Sequence, residues 1–136
     1  MGTQPSNLWL DVARSNQQAA ALLHEGGDWR SSISRSWYCC VAAAHAFLIH
    51  AGQTPPTRGN WDNTDLKDHL ARVLTSRERG RQAPLAEFLW KRMDDVWRHR
   101  LFADYDPTAS AAVEAARDSV DTATRLVGLA SKEMQR

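Results

Sequence analysis

Apolar side chains recur at every third or fourth position along most of the chain, which is the spacing of one face of an α-helix. The first such segment runs from about residue 7 to residue 24 and ends at Gly26-Gly27. The second spans about residues 31 to 51 and stops at Gly52. The predicted inward stripes are Leu8, Val12, Ala19 and Leu22 in the first helix, and Ile33, Trp37, Val41, Ala44 and Leu48 in the second.

Two further segments follow the same pattern in the third quarter of the chain. One covers about residues 63 to 75, and a polar stretch from 76 to 82 separates it from the next. The next helix begins near Pro84, because proline suits the first helical turn, and ends between residues 98 and 102. Its apolar stripe comprises Leu85, Phe88, Leu89, Met93, Val96 and Trp97.

The last helix is predicted to begin at Asp106-Pro107, which form an N-cap and first-turn pair. Small and branched apolar residues then repeat at spacings of three and four: Ala109, Ala112, Ala116, Val120, Ala123, Val127, Ala130 and Met134. The alternating pattern of a β-strand is absent from the sequence. The chain is therefore predicted to be all-α, an up-and-down bundle of four to five amphipathic helices.

A chain of 136 residues fits one domain and can bury a core without disulfides or a metal. We expect a single helical domain over residues 1–136, with residues 1–6 disordered. Apolar residues make up 43% and charged residues 24%, which is typical of a folded globular protein. The side chains expected in the core are Trp37, Val41, Phe88, Val96, Trp97, Val120 and Val127.

Two features predict a cytoplasmic protein that does not cross a membrane. Residues 1–7 lack a basic segment followed by an apolar stretch, and no window reaches the roughly 20 apolar residues of a membrane span. The only two cysteines, Cys39 and Cys40, are neighbours on one helix and point about 100° apart. They are expected to be reduced core residues.

Positive charge is concentrated in one part of the chain, although the net charge is only +1. Residues 72–100 carry eight lysines and arginines against four acidic residues. This block is either a surface that faces a phosphate backbone or a solvated arginine-rich face, and charge alone leaves both open.

Three short segments, in a fixed order, carry a more specific pattern. Residues 34–38 read Ser-Arg-Ser-Trp-Tyr and run into the small residues at 42–46, before Ala51-Gly52 closes the helix. Residues 100–107 read Arg-Leu-Phe-Ala-Asp-Tyr-Asp-Pro and precede the last helix. In order and spacing the chain resembles a group of HEPN domains, whose second helix reads Ser-Arg-aromatic-Tyr and whose final junction reads Arg-x-x-Ala-Asp-Tyr.

The resemblance implies a compact HEPN-like bundle from a prokaryotic toxin–antitoxin or defence system. Such proteins act either as metal-independent endoribonucleases or as non-catalytic subunits that recognise nucleic acid, a nucleotide or a partner protein. The implied partners are RNA or a nucleotide, a second copy in a homodimer, and a nucleotidyltransferase antitoxin or a larger defence complex. Whether this chain is an enzyme is open at this point.

In the ribonuclease members an arginine is followed four to six residues later by a histidine, and the two act across a homodimer. The histidine can take the proton of the RNA 2′-hydroxyl, and the arginine can hold the phosphate charge of the transition state. Arg92 and His99 fit this spacing, with six residues between them. Because they are separated by about 10.5 Å along a helix axis, a site composed from two protomers suits them best.

A second alignment follows the Arg-x-x-Ala-Asp-Tyr segment. It places Arg100 at the arginine position and Tyr105 where the histidine would stand. Tyrosine is a poor base, with a reference pKa near 10, so this alignment favours a binding protein. The sequence leaves both alignments open.

Five residues are candidates for a binding or structural junction: Arg35, Tyr38, Arg100, Asp104 and Tyr105. They either contact a ligand or satisfy one another's polar groups in the interior. No metal site is predicted, since His45 and His50 are five residues apart rather than the four that a helical metal pair requires. No cofactor is predicted either, because there is no glycine-rich phosphate loop.

Overall fold

The structure is a computed structural model and describes residues 4–56, 60–78, 83–106 and 112–136. Five α-helices account for most of these residues, and no β-strand occurs within the described ranges. They are α1 (Pro5–Glu25), α2 (Trp29–His50), α3 (Asn63–Glu78), α4 (Ala83–Tyr105) and α5 (Val113–Met134). The prediction of an all-α bundle is confirmed. None of the helices in these ranges is long and apolar enough to cross a membrane.

Glycine ends the first two helices, as the sequence predicts. Gly27 and Gly52 have φ angles of 82° and 92°, a left-handed conformation that glycine adopts without a Cβ clash. The chain turns directly after α1, where the Asp28 amide donates to the Leu23 carbonyl at 2.9 Å. The Asp28 side chain then accepts from the Ser31 amide at 3.2 Å and caps the start of α2. The short α1–α2 connection therefore fixes these helices side by side.

Helix α2 lies at the centre of the bundle and packs against all four other helices. Every residue from Ala42 to Leu48 is buried, and most of them are alanines, which let neighbouring backbones approach closely. Cys39 and Cys40 are also buried in this helix and are free thiols. Burial raises the pKa of Cys39 to about 12, so its thiol is a protonated core group.

Helix α1 buries a different face from the one predicted. Leu8, Val12 and Leu22 are exposed by 54%, 46% and 62%, whereas the buried side chains are Ser6, Leu10, Ala13 and Ala20. Small side chains bring α1 close enough to α2 for the Ser32 hydroxyl to donate to the Ala20 carbonyl at 2.7 Å. Close helix contact, rather than the size of the apolar side chains, decides which face turns inward.

The predicted core is correct at three of its seven positions. Trp37, Val96 and Val127 are buried. Val41, Trp97 and Val120 are only partly buried. Phe88 is 41% exposed, so its prediction as a core residue was wrong. The inward positions of α4 are instead Ala86, Leu89, Met93 and Val96, and Phe88 lies at their edge.

Several predicted helix ends differ from the structure, including that of α3, which continues to Glu78. Helix α1 begins at Pro5, so Pro5 and the buried Ser6 belong to it rather than to a disordered terminus, while residues 1–3 lie outside the described residues. Helix α4 continues to Tyr105, and the Asp106 amide donates to the Phe102 carbonyl at 3.2 Å. Asp106 therefore closes α4 and does not cap α5, which begins at Val113. Pro107 and Ala109 lie outside the described residues.

A buried carboxylate holds the far end of the bundle. Glu133 of α5 accepts from both terminal guanidinium nitrogens of Arg77, Nη1 and Nη2, and lies 3.2 Å from the His50 Nδ1 atom. Burial alone would raise the pKa of Glu133, but the hydrogen bonds from Arg77 and His50 outweigh it and lower that pKa. This cluster ties the C-terminal ends of α2, α3 and α5 together.

A buried histidine joins α2 to the segment before α3. His45 is 1% exposed; its Nδ1 atom lies 2.8 Å from the Val41 carbonyl, and its Nε2 atom accepts from the Trp61 amide at 3.0 Å. These partners assign the proton to Nδ1. The ring stacks on Trp9 at 4.3 Å and meets the edge of Trp61 at 5.3 Å. Burial lowers the pKa of His45, so the network requires the neutral ring.

We expect this histidine to make stability pH-dependent. Because its pKa is lower in the folded chain than in the unfolded chain, the unfolded chain binds the proton first as the pH falls below about 6.5. Thermal unfolding should therefore show a falling melting temperature between pH 7 and pH 5. In His45→Gln, which has no ring to titrate, this part of the fall should vanish, and stability at pH 7 should drop by about 1–3 kcal/mol.

The matched control is His99→Gln, the same substitution at a histidine that takes no part in the contacts of His45. This variant should keep the pH dependence of the wild-type chain. An unchanged slope between pH 7 and pH 5 in His45→Gln would contradict the assignment.

Candidate functional site

One arginine at the end of α4 is surrounded by aromatic rings. The Arg100 guanidinium lies 5.2 Å from the ring centre of Trp97, 5.4 Å from that of Tyr105 and 5.7 Å from that of Tyr38. Trp97 and Tyr105 lie about one turn before and after Arg100 on α4, whereas Tyr38 comes from α2. At these distances each ring face attracts the cation.

Polar contacts complete the surroundings of Arg100. Its Nη2 atom donates to the hydroxyl groups of Tyr38, at 3.3 Å, and Tyr105, at 3.4 Å. Its Nε atom lies 2.9 Å from Asp104 Oδ2, an ion pair whose angle is too bent for a good hydrogen bond. The other oxygen of Asp104 accepts from the Ser34 hydroxyl. We refer to Arg100, Asp104, Tyr38 and Tyr105 as the Arg100 cluster.

The Arg100 cluster combines a shielded charge with exposed rings. The Arg100 side chain is only 11% exposed, whereas Tyr38 and Tyr105 are 42% and 67% exposed. Burial by itself would lower the pKa of Arg100, but the hydrogen bond to Tyr38 and the negative charge of Asp104 outweigh it and raise that pKa. The guanidinium therefore stays charged while it holds two tyrosine rings at the surface.

A groove of about 610 Å³ lies beside the cluster, between the first half of α2 and the end of α4. We call it the α2/α4 groove; its walls are Leu23, Arg30, Ser31, Ser34, Arg35, Tyr38, Ala103 and Asp104. Arg30 donates to the carbonyls of Ala103 at 2.7 Å and Asp106 at 2.6 Å. These carbonyls belong to the end of α4, where helical partners run out. Arg30 thus fixes α4 against α2 and sets the shape of the groove.

The structure brings four of the five predicted junction residues together. Tyr38, Arg100, Asp104 and Tyr105 form one contact network. Arg35 lies in the adjoining groove, is exposed, and makes a long 3.4 Å contact with Asn16 Oδ1. Arg35 therefore leaves most of its donors facing solvent.

The predicted pair Arg92 and His99 does not meet within one chain. The Arg92 guanidinium is bound to α5, through the Thr122 hydroxyl at 3.0 Å, the Asp118 carbonyl at 3.2 Å and Asp121 Oδ2 at 3.0 Å. No hydrogen bond to His99 occurs among the described residues. In this structure Arg92 joins α4 to α5.

The sequence did not predict that Trp97, Ser34 and Arg30 belong to this site. Trp97 lies three positions before Arg100, and that helical spacing could have indicated the contact. Ser34 and Arg30 contact residues about 70 positions away in the sequence, so no local sequence pattern predicts these contacts. Across the described residues, no three His, Cys, Asp or Glu side chains are placed to hold a metal ion.

The fold and the site define an all-helical domain with a basic and aromatic surface at one end. A family model of the HEPN domain matches residues 6–134, nearly the whole chain. The chain belongs to the HEPN family. That membership is consistent with a nuclease or nucleic-acid-related role. No curated protein is similar enough to match the chain.

Proposed function

We propose that this HEPN protein binds single-stranded RNA through the Arg100 cluster and the α2/α4 groove. The observation that carries the proposal is the pair of exposed tyrosine rings held against a mostly shielded, charged arginine beside a groove that contains an exposed arginine. Single-stranded RNA is recognised by stacking of bases on aromatic rings and by contacts between cations and phosphates.

The stacking surface extends along the end of α4. Tyr105 is 67% exposed, and Phe102, three residues earlier on the same helix, is 61% exposed. Tyr38 adds a third ring from α2. Because a guanidinium on one side holds Tyr38 and Tyr105 in place, less conformational freedom is lost when a base stacks on them.

The phosphate contacts come from the α2/α4 groove. Arg35 is exposed there, and the Ser31 hydroxyl lies in the same wall. Asp104 would repel a phosphate if it were free, but its two oxygens are engaged by Arg100 and Ser34. The groove therefore keeps a positive balance that suits a nucleic-acid backbone.

A second candidate is the metal-independent endoribonuclease with Arg92 and His99 as its catalytic pair. It is favoured by the imidazole of His99, which is partly buried yet has no hydrogen-bond partner among the described residues. Since Arg92 is engaged with α5 in its own chain, such a site requires a homodimer in which His99 meets a cation of the second copy. The toxin–antitoxin or defence setting, with a nucleotidyltransferase or larger complex as partner, stays a prediction of the family resemblance.

We expect substitutions in the proposed site to weaken binding of a fluorescently labelled oligouridine. Tyr105→Ala should lower the affinity by about 5-fold to 100-fold, because it removes a stacking ring. Tyr105→Phe should keep most of the affinity, since the ring remains. Arg35→Ala should reduce the dependence of log affinity on log salt by about one unit, because one phosphate contact is lost.

Lys91→Ala is the matched control for the loss of a positive charge. Lys91 is exposed on α4, about 13.5 Å along the helix axis from Arg100. We expect Lys91→Ala to bind RNA with the affinity of the wild-type chain. If Lys91→Ala weakened binding and neither Arg35→Ala nor Tyr105→Ala did, the site would lie along the basic block instead.

Cleavage distinguishes the two candidates. As a binding protein, the purified chain should leave single-stranded RNA intact in the presence of a chelator. Cleavage that persists with chelator and disappears in His99→Ala would establish the endoribonuclease in its place. His99 is the position for this test because Arg92→Ala would also disrupt the contacts between α4 and α5.

A further inference from the structure

A second groove lies on the other half of α4, where this helix meets α5. It has a volume of about 350 Å³, and we call it the α4/α5 groove. Its apolar walls are Leu85, Phe88, Leu89 and Leu129, and its remaining residues are Arg125, Gly128 and Lys132. Leu89 lies about 16 Å along α4 from Arg100, so this groove is separate from the proposed RNA site.

Gly128 is among the residues that line the α4/α5 groove, and it leaves its position on α5 without a side chain. A Cβ atom built there would meet nothing within 4 Å. Glycine inside a helix costs about 0.5–1 kcal/mol relative to alanine, so the backbone of α5 gains nothing from it. The missing side chain opens room for a group from another molecule.

Two cations flank this opening along α5. Arg125 lies three residues before Gly128 and Lys132 four residues after it. Arg125 shares one carboxylate, Asp121, with Arg92, while Lys132 has no partner among the described residues. Because Arg92 and Arg125 share the carboxylate of Asp121, and Lys132 pairs with no acidic group among the described residues, the rim of the groove is positively charged.

The exposed ring of Phe88 belongs to the same surface. It is 41% exposed and lies 5.4 Å from the Arg125 guanidinium and 5.7 Å from that of Arg92. An apolar floor with cations along one edge suits a partner that offers apolar and acidic groups together. It suits nucleic acid poorly, because four of the six lining side chains are apolar.

We propose that the α4/α5 groove binds an acidic amphipathic helix of a partner protein. An apolar side chain of that helix occupies the space over Gly128, and two carboxylates one heptad apart meet Arg125 and Lys132. The match in length follows from helix geometry, since seven residues span about 10.5 Å in both helices. Laying an apolar helix face into a groove between two helices is a common mode of peptide recognition.

The test uses a labelled, alanine-based helical peptide with two glutamates one heptad apart and two leucines midway between them. Fluorescence anisotropy should show binding to the full chain. Gly128→Phe should weaken it by about tenfold or more, because the ring fills the opening. Gly128→Ala should bind within about twofold of wild type and raise the melting temperature by about 2–5 °C, because it removes the helix penalty of glycine.

A charge exchange tests the acidic part of the proposal without relying on the phenylalanine variant. Lys132→Glu should weaken binding of the glutamate peptide and strengthen binding of the same peptide with lysines in place of glutamates. Lys91→Glu, the same change at an exposed lysine outside the groove, should alter neither affinity.

Three results would overturn the proposal. The first is absence of binding by the wild-type chain, and the second is equal affinity of wild type and Gly128→Phe for the peptide. The third is self-association of the wild-type chain, measured by sedimentation, that Gly128→Phe abolishes. In that case a second copy of this chain, rather than a partner protein, occupies the groove.

Discussion

The burial of α2 on all sides is the constraint on which the rest of the structure depends. A helix surrounded by four others must carry small side chains wherever a neighbour approaches, and residues 42–46 are alanines apart from one histidine. The alanines and serines of α2 allow the close contact with α1, and that contact turns the larger apolar residues of α1 outward. His45 is the polar exception within this run, and its two hydrogen bonds anchor the chain between α2 and α3.

The site lies where α2 emerges from this central position. Near its N-terminal end the helix also carries longer polar and aromatic side chains, among them Arg30, Arg35 and Tyr38, together with Ser34. Arg30 satisfies the last carbonyls of α4, and Tyr38 and Ser34 hold Arg100 and Asp104 of the same helix end. A nearly buried charge is costly unless it is paired. Here the carboxylate and three aromatic rings surround the guanidinium, so the same contacts that join α2 to α4 also fix two tyrosines at the surface.

The helices and most of their ends could be predicted from the sequence. The spacing of apolar residues is a local feature, and so are the glycines that end the first two helices, Gly27 and Gly52. The inward face of α1 could not, since α1 has apolar residues on more than one face and packing against α2 selects among them. The sequence predicts too early a start for α5, because Asp106-Pro107 resembles a helix start, although Asp106 closes α4. Four of the residues that motif order groups as a junction, Tyr38, Arg100, Asp104 and Tyr105, contact one another in the structure. The Arg92 and His99 spacing, by contrast, carried no information about Thr122 and Asp121, which engage Arg92 from another helix.

Ultraviolet crosslinking of oligouridine to the full chain, with the linked residues located by mass spectrometry, tests the central claim most directly. We expect crosslinks at Tyr38, Phe102 and Tyr105, the exposed rings near Arg100. We also expect Arg35→Ala to lower their yield. Crosslinks confined to Phe88 and Trp90, the exposed rings on the other half of α4, would contradict the claim.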